Sequence, residues 1–598
     1  MLHFYIGCVK SVVEENMPKK PVTVLSFSDG HDAGAALIRD GKVLAALQEE
    51  RPMNIKHYDG TPEFSIKEVF KIANVHQSEV DLIAITNLVR VHAPSPHRYK
   101  PAKELPEESR GGSRIWLALH LLGYVPFVSS HTFAKLYVKV LHKFREMRQI
   151  KKVLQDLDLL TKETIFIEHH LAHASAAYRS CPWSYDDPTL VLTADGAGDG
   201  LSSTVSVTEK GQIQRVASST SYDSLGNTFY GAITVHLGLR PWEDEYKTMG
   251  LAPYGNPKPC VSAMRRIIRL NPNAPLEFEN RISPFIQSKL QTMLTRQRFD
   301  NIAAAAQQHL EDLLVTWLRN ATRQFDIHRI VCSGGVFLNV KANKRIIEMP
   351  EVEDFFIYPA AGDDGTAVGA GLQAYFKYCA REGIKPEKVP ITDLYYGPSF
   401  SDEQVLQVLK ETGWIKKAEY HKEIDSLVGE YIADRRIVAR FKGRLEFGPR
   451  GLGNRSILAD ARDLKTVGKI NFAIKHRDFW MPFAPTIVEN CMEDYLANPK
   501  PAPYMIMAFD TTFKRDDIIA AIHPSDKTCR PQTLYEDWNS DYWQVLSAFQ
   551  EKTGVGGILN TSFNLHGYPI VCTPRQALWT FENSQLDGLA LGNYYLTK

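Results

Sequence analysis

The sequence contains one layout twice, and this repetition limits what the chain can fold into. The first copy, PVTVLSFSDG (21–30), is an apolar run that ends in an Asp-Gly turn, and a hairpin follows that turns at Asp40-Gly41. The second copy, TLVLTADGAGDG (189–200), is followed by a hairpin that turns at Lys210-Gly211. The copies start about 170 residues apart, a period that predicts a duplicated α/β architecture. The alternative is two unrelated hairpins in one large α/β protein.

The length and the charge of the chain narrow the class of protein. At 598 residues it is too long for a single hydrophobic core, so two or three domains are expected. Its 44% hydrophobic and 23% charged residues are typical of an ordinary globular protein. A formal net charge of +1 argues against a protein whose partner is nucleic acid.

Cysteines and apolar segments indicate the compartment. The eight cysteines are scattered without a CxxC pair, which argues against a zinc ribbon or a disulfide scaffold and fits a reducing cytosol. Residues 1–20 lack the pattern of a secretory signal, and the apolar run 115–128 is shorter than the roughly 20 residues that span a bilayer. We therefore expect a cytoplasmic protein that has no membrane partner.

Shifts in composition divide the chain into parts. Residues 1–20 are expected to form a loose N-terminal extension. The segment 384–398 is rich in proline and ends a helical pattern, so we expect one domain at 21–388 and a second at 394–598. Within the first domain, residues 95–160 combine a Pro-rich loop with a long basic helix and are expected to form a helical insertion.

The segment HHLAHASAAY (169–178) carries a candidate metal site. His169 and His173 lie on one face if the segment is helical, and such a pair can bind one divalent metal ion. Asp195, at the end of the second-copy strand, offers a hard oxygen ligand. The alternative is that both histidines belong to an ordinary helix surface or core.

Basic residues on glycine-rich backbone are concentrated in the C-terminal part of the chain. They occur in the segments KGRLEFGPRGLGNRSIL (442–458), KHRDFWMPFAP (475–485), CRPQT (529–533) and LNTSFNLHGYPIV (559–571). Arginine and lysine on such backbone suit the recognition of polyphosphates or acyl phosphates. A nucleic-acid site is disfavoured, because the basic residues do not form a long stripe.

Together these motifs resemble one family, the O-carbamoyltransferases of nodulation-factor and antibiotic biosynthesis. The resemblance covers nearly all of residues 21–598. Besides the segments above, it rests on SDGHDAGAAL, QEERPMNIKH, YKTMGLAPYG, CSGGVFLN and PAAGDDGTAVGAG. It implies a duplicated, actin-like (ASKHA) N-terminal domain, similar to the universal tRNA threonylcarbamoyl transferase, and an α/β YrdC-like C-terminal domain.

The resemblance also implies a reaction. The C-terminal site would take carbamoyl phosphate and ATP, release phosphate and pyrophosphate, and form carbamoyl-adenylate. The N-terminal site would then transfer the carbamoyl group to a hydroxyl of a small natural-product or sugar acceptor, and AMP would leave. Mg²⁺ is expected to accompany ATP.

Roles for individual residues follow from the matched motifs. The metal ligands implied are His169, His173, Asp195 and Asp363, with Asp364 as the alternative if the register shifts by one, and the metal is Fe²⁺ or another divalent ion. His31 is implied as the catalytic base that accepts the proton of the acceptor hydroxyl.

The remaining implied residues fall into three groups. The residues that contact the acceptor or line its pocket are Asp29, Asp32, Lys56, His57, Glu245 and Lys247. The residues that hold adenosine are Gly334, Gly335 and Asn339. The residues that hold carbamoyl phosphate and the ATP phosphates are Arg450, Lys475 and Arg530, helped by Arg455, Asn560, Ser562 and Asn564.

The chain departs from the family pattern at two positions. Gly451 stands where many relatives have alanine, which is a mild change. Met481 stands where many have arginine and removes a cation beside the phosphates, and Arg477 is the nearest residue that can replace it.

Two other functions are compatible with parts of the sequence. One is a tRNA-modifying enzyme of the threonylcarbamoyl type, and the near-neutral charge counts against it. The other is a non-catalytic nucleotide-binding protein, against which both residue clusters count. A homodimer is the default expectation for the oligomeric state.

Overall fold

The computed structural model describes residues 21–91, 139–140, 147–282, 286–475 and 477–598. Its strands are β1 Thr23–Gly30, β2 Gly34–Arg39, β3 Lys42–Gln48, β4 Leu82–Val91, β5 Glu163–Ile167, β6 Leu190–Gly198, β7 Leu201–Glu209, β8 Gln212–Thr220, β9 Ile268–Asn271, β10 Ala274–Asn280, β11 Arg329–Ser333, β12 Asp354–Ile357, β13 Ala418–Tyr420, β14 Val438–Phe441, β15 Arg455–Ala459, β16 Ala484–Val488, β17 Gln532–Leu534, β18 Gly557–Ser562, β19 Gly588–Leu591 and β20 Tyr594–Leu596.

Its α-helices are α1 Glu50–Met53, α2 Glu63–Ala73, α3 Arg148–Asp156, α4 His169–Ser180, α5 Ala232–His236, α6 Glu245–Leu251, α7 Val261–Met264, α8 Ile286–Met293, α9 Phe299–Phe325, α10 Val340–Ile347, α11 Thr366–Arg381, α12 Asp402–Thr412, α13 Ile424–Ala433, α14 Leu464–Ile470, α15 Met492–Tyr495, α16 Ser540–Thr553 and α17 Pro574–Glu582. The N-terminal extension and most of the expected insertion at 95–160 lie outside the described residues. Helix α3 falls within the last part of that insertion.

The first sheet contains the first copy of the repeat. Its strand order is β3-β2-β1-β4-β5, in which β1, β2 and β3 run antiparallel while β4 and β5 run parallel to β1. The hairpin turns at Asp40 and Gly41, which have φ values of 50° and 78°. Positive φ at both turn positions matches the right-handed twist of the flanking strands. The predicted hairpin is confirmed.

The second sheet repeats this topology strand for strand. Its order is β8-β7-β6-β11-β12, with β6, β7 and β8 antiparallel and with β11 and β12 parallel to β6. The hairpin turns at Lys210 and Gly211, which have φ values of 48° and 81°. Because both copies share strand order, direction and turn, the duplicated α/β architecture is confirmed.

Two helices fill the space between these sheets, and each crosses to the opposite copy. Helix α4 follows β5 of the first sheet but packs against β6 and β11 of the second. Helix α11 follows β12 of the second sheet but packs against β1, β2 and β4 of the first. The two helices touch closely, since a Cβ on Gly369 would lie 1.9 Å from the carbonyl oxygen of Ala172. Small residues are therefore required where α4 meets α11.

The C-terminal part forms a third, larger sheet. Its eight strands have the order β13-β20-β19-β14-β15-β18-β16-β17, and helices α13 and α16 pack together on it. A cluster of buried apolar side chains that includes Phe441, Tyr542 and Phe549 forms its core. The α/β class of this part is confirmed.

The N-terminal and C-terminal parts share a buried boundary. Apolar residues 504–506 pack into the core of the second sheet. The boundary also contains hydrogen bonds, because Arg444 donates to Leu44 O at 2.9 Å and His523 Nε2 contacts Gly250 O at 2.9 Å. The segment 384–398 links the parts without regular structure. The limits 21–388 and 394–598 stay a prediction.

None of the helices in the described residues combines the length and the apolar character needed to cross a bilayer. The seven cysteines of the described residues are all buried, and none of them forms a disulfide with another described cysteine.

Candidate functional site

Four side chains from different elements converge between the first two sheets. His169 and His173 lie one turn apart on α4, Asp195 lies on β6, and Asp363 lies in the turn that precedes α11. One ligand atom from each of the four lies within 4.8 Å of the others. The structure thus brings together the four residues that the sequence analysis named as metal ligands.

The inner atoms of this cluster face one another. His169 Nε2 lies 3.2 Å from His173 Nε2 and 3.3 Å from Asp195 Oδ2, and His173 Nε2 lies 3.3 Å from Asp363 Oδ1. Both imidazoles are fully buried. Glycine is required beside them, because a Cβ on Gly198 would lie 2.1 Å from the ring of His169.

The outer atoms of the same side chains have their own partners. His169 Nδ1 lies 2.8 Å from Asn87 Oδ1, and His173 Nδ1 lies 3.3 Å from Ser333 Oγ. A proton on each Nδ1 leaves the Nε2 lone pairs directed into the cluster. Asp363 Oδ1 is buried without a hydrogen-bond partner among the described residues. This donor set fits a divalent cation of the kind that takes mixed nitrogen and oxygen ligands.

Electrostatics at the cluster also favour a cation. Burial acts to lower the pKa of His169, but the carboxylates of Asp363 and Asp195 outweigh it and raise that pKa to about 10. Burial acts to raise the pKa of Asp195, but its contacts with His169 and His173 hold it far below its usual value. Asp195 is therefore charged, and positive charge is stabilised beside it.

Asp364 lies outside this cluster. Its Oδ2 accepts a hydrogen bond from Gln48 Nε2 at 2.8 Å. Burial and the nearby Asp32 and Glu50 raise its pKa to about 8. The structure therefore favours Asp363 over Asp364 as the ligand of the GDDG motif.

His31 belongs to a second cluster that is centred on Asp32. The two carboxylate oxygens of Asp32 lie 3.3 Å from His31 Nε2 and 2.9 Å from His57 Nδ1. The two imidazoles stack with centroids 5.8 Å apart, and Trp242 lies 5.7 Å from the ring of His31. His31 Nδ1 is buried without a hydrogen-bond partner among the described residues.

The backbone around Asp32 has an unusual conformation. Asp32, His57 and Trp242 have φ values of 49°, 53° and 65°, in the left-handed region that L residues rarely adopt. Such conformations persist where the surrounding structure holds them, and they cluster at functional sites. Burial acts to raise the pKa of Asp32, while His31 and His57 lower it below its usual value.

The other residues expected in the acceptor pocket differ in position. Asp29 is buried and accepts from Thr61 Oγ1 at 2.9 Å, so it faces the interior. Lys56 Nζ lies 3.3 Å from Glu243. Glu245 accepts from the backbone N–H of Trp242 at 2.7 Å and thereby fixes the residue beside His31.

Gly334, Gly335 and Asn339 lie beside the candidate metal cluster. The N–H of Gly335 donates to Asp195 Oδ1 at 2.7 Å. Asn339 caps helix α10 by accepting from the N–H of Ala342, and its amide also pairs with Gln307 at 2.9 Å. The side-chain oxygen of Asn339 thus accepts two hydrogen bonds within the protein, and its amide nitrogen donates one to Gln307.

Four cations form a cluster in the C-terminal part: Arg450, Lys475, Arg477 and Arg530. Burial and Arg477 lower the pKa of Arg450 to about 10, and burial with Arg450 and Arg477 lowers that of Arg530 well below its usual value. Among the described residues, the three arginines have no ion pair or side-chain hydrogen bond to neutralise them. Unpaired cations this close together are costly unless an anion joins them.

Lys475 is held in place by the NTSFN segment. Its Nζ donates to Asn564 Oδ1 at 2.6 Å and to Asn564 O at 3.0 Å, and it lies 3.3 Å from Ser562 Oγ. Burial, Arg477 and Lys56 lower its pKa well below the usual value. Ser562 and Asn564 thus hold the ammonium group of Lys475 in place.

Two predicted helpers are structural. Arg455 is fully buried and donates to the carbonyl oxygens of Lys442, Asn454, Pro398 and Gly443. The amide of Asn560 donates to Gly451 O at 3.2 Å and to Thr486 Oγ1 at 3.0 Å. The Nη1 and Nη2 donors of Arg455 and the amide of Asn560 thus support the backbone around Arg450, while Arg455 Nε is buried without a hydrogen-bond partner among the described residues.

The structure shows the surroundings of Met481 and Gly451, the two residues that depart from the family pattern. Met481 is buried, and its Sδ would lie 3.0 Å from a Cβ on Gly250 of the N-terminal part. Arg477 lies within the cation cluster, as expected of a replacement. A Cβ on Gly451 would lie 2.9 Å from Ser562 Cα, so an alanine here needs a slightly wider loop.

The cation cluster and the N-terminal clusters face each other. Asp364 and Tyr246 of the N-terminal part are close enough to Arg450 to act on its pKa. Lys247 Nζ lies 3.3 Å from Asp478, and Trp480 Nε1 donates to Lys247 O at 3.2 Å. The cation cluster therefore lies at the boundary with the N-terminal part, near Asp364 and Lys247.

Two residues of the QEER segment escaped the residue assignments made from sequence. Arg51 is buried and donates to Gly448 O at 2.7 Å and to Gln48 Oε1 at 3.0 Å. Gln48 in turn reaches Asp364. The sequence marked this segment as part of the motif QEERPMNIKH, but it gave no role to Gln48 or Arg51 individually.

Comparisons with known proteins identify relatives along nearly the whole chain. The family model described as Carbamoyltransferase N-terminus matches residues 24–372, and that described as Carbamoyltransferase C-terminus matches residues 429–598. Nodulation protein NolNO of Sinorhizobium fredii is 31% identical over 597 residues, which cover 98% of this chain and 81% of that protein. Uncharacterized protein MJ1058 of Methanocaldococcus jannaschii is 32% identical over 615 residues, covering 95% of this chain and 98% of that protein.

Among solved structures, a crystal structure of HypF from T. kodakarensis aligns with 61% of this chain and 49% of its own, at 13% identity and a TM-score of 0.31. That similarity is too low to assign a fold or a function.

Proposed function

Since the chain belongs to the carbamoyltransferase family, we propose that it is an ATP-dependent O-carbamoyltransferase that acts in two steps at two facing sites. The observation that carries this proposal is the cluster of Arg450, Arg477 and Arg530, which lack ion-pair partners among the described residues and lie near Asp364 and Tyr246 of the N-terminal part. One cluster suits a phosphorylated donor, and the other suits an acceptor hydroxyl.

The first step makes the activated donor. Carbamoyl phosphate, ATP and one water give carbamoyl-adenylate, phosphate and pyrophosphate. Arg450 and Arg530 hold the phosphate groups, with Arg477 in place of the cation that Met481 lacks. Lys475 stands beside them, positioned by Ser562 and Asn564. We expect Mg²⁺ to accompany the nucleotide, whose negative charges exceed what these side chains can neutralise.

The second step transfers the carbamoyl group. His31 Nδ1 takes the proton of the acceptor hydroxyl as the oxygen attacks the carbamoyl carbon, the C–O bond to the phosphate breaks, and AMP leaves. Asp32, which lies 3.3 Å from His31 Nε2, holds the imidazole with its free nitrogen toward the acceptor. Two observations support this assignment: His31 Nδ1 lacks a partner among the described residues, and Trp242 packs beside the ring.

His169, His173, Asp195 and Asp363 would hold the divalent metal, for which we propose Fe²⁺. When bound, such an ion polarises oxygens of the adenylate by withdrawing electron density. The protein's own part is to position the four ligands, through Asn87, Ser333 and Gly335. Gly334, Gly335 and the backbone of Asn339 lie next to this cluster and are the proposed contacts for adenosine.

We propose a hydroxyl-bearing small molecule, such as a sugar or another natural product, as the acceptor. Asp32, Lys56, His57, Glu245 and Lys247 offer charged and hydrogen-bonding groups near His31, which suits a polar acceptor. A cytoplasmic location is part of the proposal, and the free cysteines are consistent with it.

The test uses purified full-length protein. Pyrophosphate release from ATP that depends on carbamoyl phosphate supports the first step, and its absence contradicts it. Candidate acceptors are then screened by mass spectrometry for the gain of one carbamoyl group. Tight, salt-sensitive binding to bulk tRNA would instead favour a tRNA-modifying enzyme.

A further inference from the structure

Arg51 contacts three parts of the molecule that the proposed function treats separately. Its side chain is buried, and it follows directly on β3 within α1. It belongs to the QEER segment, for which neither the metal, the catalytic base nor the cation cluster gives a role. Each of its contacts leads toward one of those sites.

The first contact of Arg51 crosses to the C-terminal part. Its Nη2 donates to Gly448 O at 2.7 Å, two residues before Arg450 in the glycine-rich loop. The backbone of Arg51 is held to the same part, because Gln576 Nε2 donates to Arg51 O at 3.1 Å. Arg51 is thus fixed to the loop that carries the phosphate-binding arginine.

The other two contacts lead into the N-terminal part. Arg51 Nε donates to Gln48 Oε1 at 3.0 Å, and Gln48 Nε2 donates to Asp364 Oδ2 at 2.8 Å. Asp364 follows the candidate metal ligand Asp363 in the chain. This chain of hydrogen bonds therefore ends at the GDDG turn, which also carries the candidate metal ligand Asp363.

The third contact of Arg51 is with Glu50, which in turn contacts His57. Arg51 Nη1 lies 3.1 Å from Glu50 Oε1, and Glu50 Oε2 accepts from the N–H of His57 at 2.9 Å. His57 contacts Asp32, which contacts His31. One guanidinium thus connects the phosphate-binding loop, the GDDG turn and the cluster of the catalytic base.

We propose that Arg51 is a positioning residue that couples the two steps, by holding the loop of Arg450 in register with the transfer site so that carbamoyl-adenylate is retained until it reacts. This inference rests on the proposed function. The guanidinium suits the task because it is planar and always charged, and it donates in several fixed directions. A lysine at this position keeps the charge but cannot hold three partners in that geometry.

The simpler explanation is that Arg51 only stabilises the boundary between the two parts. The chain offers a matched comparison for this, because Arg444 also crosses the boundary and donates to Leu44 O, Tyr396 O and Gly397 O. Arg444 belongs to the same glycine-rich segment as Arg450, but its partners are backbone carbonyls that lead neither to the GDDG turn nor to the cluster of the catalytic base. A comparison of Arg51→Lys with Arg444→Lys therefore distinguishes a role in coupling the two steps from a role in stabilising the boundary between the two parts.

The experiment compares full-length wild type, Arg51→Lys and Arg444→Lys with ATP and radiolabelled carbamoyl phosphate, without an acceptor. Two quantities are measured: pyrophosphate release, and the fraction of labelled carbamoyl-adenylate that elutes with the protein in rapid gel filtration. For Arg51→Lys we expect pyrophosphate release close to that of wild type and a retained fraction about 2- to 30-fold smaller, the range for residues that couple two sites. Arg444→Lys should match wild type in both.

A second variant guards against misfolding of Arg51→Lys. Gln48→Met keeps the volume and the bond from Arg51 to Gly448 but breaks the connection to Asp364, and it should release carbamoyl-adenylate in the same way. The proposal is overturned if wild type, Arg51→Lys and Gln48→Met retain equal fractions of carbamoyl-adenylate. It is also overturned if Arg444→Lys loses as much carbamoyl-adenylate as Arg51→Lys. If Arg51→Lys loses both pyrophosphate release and retention of carbamoyl-adenylate, Arg51 only shapes the phosphate-binding loop and the proposal is overturned. A wild type that forms no carbamoyl-adenylate would instead contradict the proposed function itself.

Discussion

The Nε2 atoms of His169 and His173 lie 3.2 Å apart, and both imidazoles are fully buried. At that distance one shared proton or one cation must lie between the two lone pairs, because their mutual repulsion is not screened by water. Since Asp195 and Asp363 add two carboxylates, a divalent cation satisfies all four groups at once.

We expect His169→Ala and His173→Ala to lose bound metal. Removing a ligand should weaken metal binding by at least about 10-fold, the lower end of what even outer-sphere substitutions cause. His170→Gln is the matched control, since His170 neighbours both histidines but its Nδ1 contacts Thr193 Oγ1 at 2.8 Å. Metal analysis of the purified variants gives the answer, and unchanged metal in His169→Ala would remove that residue from the ligand set.

His31→Asn should separate the two steps. Loss of the base should slow carbamoyl transfer by about 10²- to 10⁴-fold, while pyrophosphate release that depends on carbamoyl phosphate continues. His76→Asn, at an exposed position away from the site, controls for a general effect of losing a histidine. Transfer at the wild-type rate in His31→Asn would mean that another group is the base.

Arg450→Ala should abolish both steps, since no carbamoyl-adenylate would form. The loss of a buried, charge-assisted contact to phosphate is expected to cost at least about 2 kcal/mol of binding, or roughly 30-fold in affinity. Arg298→Ala provides a surface control, because Arg298 is largely exposed and its ion pair within the described part of the chain is with Asp300. Pyrophosphate release is the measurement, and a near-normal rate in Arg450→Ala would move the donor site elsewhere.

Helix packing predicts opposite effects for two glycine substitutions. In Gly369→Ala the new Cβ would lie 1.9 Å from Ala172 O, so α4 and α11 must separate, at a cost of about 1–3 kcal/mol. In Gly468→Ala the Cβ meets nothing within 4 Å on helix α14, and the better helix former should add about 0.5–1 kcal/mol. Midpoints of chemical denaturation should therefore fall for the first and rise for the second.

The pair of His57 and Asp32 predicts a pH dependence of stability. Burial acts to lower the pKa of His57, but Asp32 raises it above the usual value, and Asp32 itself stays ionised. A histidine whose pKa rises on folding stabilises the fold fully below its unfolded pKa of about 6.5, and this contribution disappears as pH rises through the folded pKa. His57→Gln should therefore lower the free energy of unfolding more at about pH 6 than at about pH 9. Denaturation at the two pH values tests this, and an equal loss at both would contradict it.

The repeated elements were predictable from the sequence because their causes are local. Apolar runs and positive-φ turns at Asp40-Gly41 and Lys210-Gly211 encode both hairpins within a few residues. The spacing of His169 and His173 likewise follows from the helical period. Duplication and the ligand-bearing helix could thus be found without tertiary information.

The contacts that join the sites could not be found in this way. Arg51 and Gly448 are 397 positions apart, and no local pattern tells which carbonyl a buried arginine will meet. Arg455 is a second example in which the sequence does not tell which partners a buried arginine contacts. Its motif predicts a role in phosphate binding, which stays a prediction, but no local pattern indicates that its Nη1 and Nη2 donate to the carbonyls of Lys442 and Gly443.

The exchange of helices between the two sheets has a consequence for the origin of the chain. His169 and His173 come from the first copy of the repeat, and Asp195 and Asp363 come from the second. A single-copy ancestor would therefore have owned half a ligand set, and only a pair of such molecules could have assembled the whole. Because one polypeptide carries both copies, they are always present in equal number. Each copy can then supply a different kind of ligand, imidazoles from the first and carboxylates from the second.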